Sequence, residues 1–144
     1  MLVRRLARSL LATTFITGGA GVLRDPEPHI RRAKALLVPL GTPEEYVSPL
    51  TLADAGVKVV GGLALATGRV PRIAALALAA SLVPTTLAGH RFWEHEDPEQ
   101  RANHRIHFLK NVALIGGMVT VALDTGGRES VPHRALRALP WTEG

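Results

Sequence analysis

The stretch HFLKNVALIGGMVTVAL, His107–Leu123, decides how this chain is read. From Asn111 to Leu123 it holds no Lys, Arg, Asp or Glu, yet Lys110 and Asn111 sit at its start, just after His107. An apolar helix that opens with an ammonium and an amide fits a membrane span whose end carries polar groups. It fits a water-soluble helix poorly, because such a helix shows one charged face along its length.

The same segregation recurs upstream. Ser9–Leu23 and Ile73–His90 are also free of charged residues. Between these runs the charges are clumped, as in RDPEPHIRRAK (Arg24–Lys34), EHEDPEQRANHR (Glu94–Arg105) and the tail segment GRESVPHRALR (Gly127–Arg137). The mean hydropathy of +0.16 averages over this alternation and hides it. Four spans follow, at about 6–23, 50–67, 73–90 and 106–124. An eighteen-residue helix rises about 27 Å, close to the roughly 30 Å hydrocarbon core. Helix is required because lipid gives the backbone no hydrogen-bonding partner. The expected fold is all-α, an integral membrane four-helix bundle with antiparallel neighbours. It occupies residues 1–124, followed by a polar, flexible tail at 125–144.

GRVP, Gly68–Pro71, predicts a tight turn between the second and third spans. Glycine suits the position just after a helix, and proline suits the first turn of the next one. HIRRAKALLVPL (His29–Leu40) predicts a short amphipathic helix at the interface, with Ile30, Ala33, Leu36 and Leu37 on its apolar side and Arg31, Arg32 and Lys34 elsewhere. Within the spans, Gly61, Gly62 and Gly117 would let neighbouring helices approach closely. Pro84 predicts a kink that frees the carbonyl of Ala80. At the N-terminus, Arg4, Arg5 and Arg8 before LLATTFI also resemble the start of a signal or transit peptide. The further apolar runs make a membrane anchor the simpler reading.

The formal charge is +5. Its Lys and Arg flank apolar runs instead of forming one stripe, so anionic lipid headgroups are the expected counter-charge and nucleic acid is not an expected partner. Assigning the loops alternately puts eight Lys/Arg on the N-terminal side and seven on the other. That near balance weakly favours both termini in the cytoplasm and the inner (plasma) membrane as the site of residence. The chain has no cysteine, so it brings no thiol chemistry of its own.

If the helices alternate in direction, the start of the second span, the end of the third and the start of the fourth share one membrane face. The residues there are Asp54, Lys58, Thr85, Thr86, His90, Trp93, His107, Lys110 and Asn111. Asp54 and Lys58 stand four apart with the acid first, the favourable order for a helical ion pair. His107, Lys110 and Asn111 fall on one helical side. Lysine in mid-bilayer costs about 2.5–3.5 kcal/mol on insertion scales, so Lys58 calls for a partner. Each of these residues also has a plainer role, in snorkelling, interfacial anchoring or helix locking. His90 and Glu94 of HRFWEHE (His90–Glu96) have a spacing that suits metal ligands. No HExxH or second ExxH motif supports them, and a metal is not expected. No phosphate loop or nucleophile elbow is present, and no residue is assigned as catalytic.

The segments RLARSLLATTFITGG (Arg5–Gly19), GGLALATGRVPRIAAL (Gly61–Leu76), LVPTTLAGHRFW (Leu82–Trp93) and HFLKNVALIGG (His107–Gly117) together resemble the DoxX family of small four-span bacterial membrane proteins. The resemblance covers nearly all of the chain up to Asp124. It implies a membrane subunit or accessory of an oxidoreductase or stress-response system, with redox-enzyme partner proteins and a quinone-like or small anionic ligand at the polar pocket. The alternative is a non-catalytic membrane scaffold whose polar cluster only locks helix packing. Some redox-coupled branches carry cysteine pairs, which this chain lacks.

Overall fold

A computed structural model describes residues 2–124. The expected polar tail lies outside the described residues. Helices α1 (Leu2–Arg24), α3 (Glu44–Thr67), α4 (Pro71–Gly89) and α5 (Pro98–Leu123) form the bundle. A shorter helix, α2 (Glu27–Leu37), lies between α1 and α3 in sequence and packs on α3 and α4. Four helices are long and apolar enough to cross a membrane, and no strand occurs among the described residues.

The helix ends follow from local chemistry. Gly68 takes a left-handed conformation (φ 70°), and its N–H bonds back to the carbonyls of Ala64 and Leu65. Pro71 then opens α4, where a missing N–H costs nothing. Helix α5 begins eight residues before the expected start of the fourth span. Asp97 caps it, accepting from the Gln100 N–H at 2.8 Å, and Pro98 occupies the first position. Helix α3 likewise starts at Glu44 and absorbs Pro49, which hydropathy alone would place outside the span. Helix α4 stays helical through Pro84.

The seam between α1 and α3 is the closest in the bundle. A Cβ built on Gly62 would come within 2.6 Å of Ile16 Cγ1, and one on Gly19 within 2.7 Å of the Ala55 carbonyl oxygen. Contacts therefore climb along α1 as they descend α3. Small residues let the backbones approach, and in lipid it is this packing that joins helices. Gly117, also expected to permit close approach, has only ordinary contact with Leu11. The apolar centre gathers Phe15 of α1, Leu65 of α3, Leu78 and Leu82 of α4 and Met118 of α5.

One end of the bundle is tied by Asp124. Its carboxylate lies 3.5 Å from Arg4, and its carbonyl accepts from Arg72 Nε at 3.1 Å. Arg8 lies against Gly68 at the same end. The functional-looking polar residues lie toward the other end.

Candidate functional site

The polar side chains at that end fall into separate groups. The first joins α3 to α4. Asp54 accepts from Lys58 Nζ one turn on and from Ser81 Oγ across the seam. Lys58 also donates to Thr85 Oγ1 at 2.6 Å, and the Thr85 hydroxyl donates to the Ser81 carbonyl at 2.9 Å. Lys58 is 6% exposed. A buried ammonium in a span is tolerated because a carboxylate and a hydroxyl replace its water. Two of its N–H groups are engaged, which leaves the third free to donate.

The second group joins α4 to α5. Asn111 Nδ2 donates to Thr86 Oγ1 at 3.0 Å, and Thr86 donates to the Leu82 carbonyl at 2.6 Å. Both residues are buried. Lys110, one residue away and about 100° around α5, is exposed, with its ammonium 3.3 Å from His107 Nδ1. The buried line of α5 passes through Asn111 and Met118 and leaves Lys110 to one side.

The third group is a pile of imidazoles at the α4–α5 junction. His90 stacks on His107 with centroids 5.0 Å apart, and His95 stacks on His104 at 4.0 Å. His90 and His104 bring their Nδ1 atoms to 3.4 Å. Beside them Phe92, Trp93 and Phe108 meet edge to face, at 5.1–5.8 Å between centroids. Among the described residues no group of His, Asp and Glu is arranged to hold a metal ion.

A cavity of about 320 Å³ opens beneath α2, bounded by α2, α3 and α4 with Val22 of α1. Asp54, Lys58 and Thr85 line it; Thr86, His90, Trp93, His107, Lys110 and Asn111 do not. The polar residues that the sequence gathers at one end are thus divided between a cavity wall, a helix-to-helix bond and an aromatic junction. Helix α2 presents His29, Arg32, Ala33, Leu36 and Leu37 to the cavity. That is the i, i+3, i+4, i+7, i+8 stripe of a helix. Sequence reasoning placed Arg32 off the apolar side because it is charged, yet the helical period alone puts it beside Ala33 and Leu36. Ser81 and His104 were also missed. Ser81 lies four residues before Thr85 on the same side of α4, a spacing that could have revealed it.

These features define a membrane-spanning helical protein with a cavity against a paired intramembrane charge. The DoxX family model matches residues 4–91, more than half of the chain, and the protein belongs to the DoxX family. The matched segment ends at Arg91, so α5 and the imidazole pile's His95, His104 and His107 lie beyond it. No curated protein and no solved structure matches the chain.

Proposed function

We propose that this protein is a membrane subunit or accessory of an oxidoreductase or stress-response system, and that it holds a small amphiphilic ligand in the cavity beneath α2. A quinone-like ring or a small anion fits the chemistry the sequence implies. The observation that carries the reading is the cavity itself, with apolar walls and the Lys58–Asp54 pair in its lining. Ligand sites combine apolar lining with a few placed polar groups in this way. Asp54, Lys58 and Thr85 are the proposed ligand-facing residues. Thr86 and Asn111 hold α4 to α5, while His90, Trp93, His107 and Lys110 form the rim where a partner protein docks. Residence is in the inner (plasma) membrane with both termini in the cytoplasm. The chain has no thiol, so any thiol redox chemistry belongs to the partner.

A second reading makes the protein a non-catalytic scaffold. It is favoured by the self-sufficiency of the polar groups: no buried side-chain nitrogen or oxygen among the described residues lacks a hydrogen-bond partner.

Affinity purification from native membranes, with mass spectrometry of proteins and small molecules, separates the two. The first reading expects an oxidoreductase component and a bound small molecule that is lost in Lys58→Met. A chain that carries no small molecule, and whose Lys58→Met variant is only less stable, leaves the scaffold.

A further inference from the structure

We infer that the cavity selects an anionic, single-chain amphiphile, of which a long-chain carboxylate is the simplest. This rests on the ligand-holding role proposed above and narrows the class of ligand.

The charges of the lining do not balance. Arg32 and Lys58 face it against the single carboxylate of Asp54. Lys58 is paired with Asp54, so the excess positive charge resides on Arg32. Arg32 has no ion-pair partner among the described residues, although three of the other basic side chains near loops or helix ends, Arg4, Lys34 and Arg91, do. It stands on the cavity stripe of α2, and its side chain is exposed. An exposed guanidinium on the cavity lining offers a planar pair of donors to a carboxylate without the cost of full burial.

The rest of the lining is mostly apolar, with Val22, Leu36, Leu37, Pro84 and Ala88 beside the Asp54, Lys58 and Thr85 group. A head held at Arg32 directs its chain along the apolar residues. The volume of about 320 Å³ sits at the lower end of ligand pockets, which span roughly 300–1,000 Å³. It suits one chain and a small head, and is too small for a two-chain phospholipid. The third N–H of Lys58 remains available for a polar atom carried deeper. Helix α2 is fastened over the cavity by the ion pair of Lys34 with Glu44 at the start of α3.

The test uses the full chain in a non-ionic detergent, with dodecanoate and dodecanol as matched probes, read by native mass spectrometry and by ligand-dependent thermal stabilisation. Wild type should bind dodecanoate about tenfold more tightly than dodecanol, the effect of one charge-assisted contact. Arg32→Gln should erase that preference while leaving dodecanol binding intact, and Arg32→Lys should restore part of it. Ala88→Phe, which fills the cavity, should abolish binding of both probes. Equal binding of the two probes by wild type would overturn the selection for anions and leave the cavity reading standing. Dodecanoate binding that survives Ala88→Phe would remove the cavity from both readings. Displacement of dodecanoate by phosphatidylglycerol at equal concentration would overturn the single-chain assignment.

Discussion

Lys58 Nζ lies 2.6 Å from Thr85 Oγ1, which joins the middle of α3 to α4 through a charged donor inside a membrane span. The same ammonium pairs with Asp54, so the helices share a charge that is neutral only when both partners are present. Lys58→Met should therefore lower the stability of the detergent-solubilised protein by about 3 kcal/mol, mostly because Asp54 is left without its counter-ion. Lys58→Met combined with Asp54→Leu should recover more than half of that loss. Chemical or thermal unfolding of the two variants checks this, and equal losses would show that the pair is not coupled.

Lys110 supplies the control. It is exposed, and among the described residues its ammonium makes its hydrogen-bond contact with His107. Lys110→Met should change unfolding stability by less than about 0.5 kcal/mol, the usual range of a surface change. A loss as large as that of Lys58→Met would mean that residue 110 is buried against a partner helix.

The α1–α3 seam makes a steric prediction. Gly62→Ala drives a methyl into Ile16 and should cost about 1–3 kcal/mol, as overpacking does elsewhere. Gly18, on the same helix as Gly19 but with nothing near its Cβ position, should accept alanine without loss and gain up to about 1 kcal/mol from helix propensity. Melting temperatures of the two variants in one detergent give the comparison.

Asn111 and Thr86 form a bond between α4 and α5 at 3.0 Å. Interhelical hydrogen bonds in membranes are modest, so a double-mutant cycle with Asn111→Leu and Thr86→Val should return a coupling of about 0.6–1.7 kcal/mol. A coupling of zero would mean that the bond is not formed in solution.

Asp97 caps α5 through the Gln100 N–H. Asp97→Ala should destabilise by about 1 kcal/mol. Hydrogen exchange should show the loss confined to the first turn of α5, with the segment after Asn111 unaffected.

The uncharged runs, the Gly68 turn, the amphipathic α2 and the Asp54–Lys58 spacing were all legible in the chain. Each depends on a residue and its near neighbours: a span must satisfy its own backbone, glycine alone relaxes at φ 70°, and i,i+4 residues always meet. The early starts of α3 and α5 were less visible, because a helix can leave the membrane and continue through charged residues once a cap is present. What the sequence could not supply is the rotation of each helix about its axis. In water the apolar side of a helix marks the core, but in lipid apolar residues are welcome on every side. Rotation is then set by shape, with Gly19 and Gly62 drawing α1 against α3 and Asn111 turning inward while Lys110 turns out. That is why the sequence by itself determined how many helices cross and where they turn. The tertiary packing alone decided that Arg32, Lys58 and Asp54 face one cavity and that His107 and Lys110 do not.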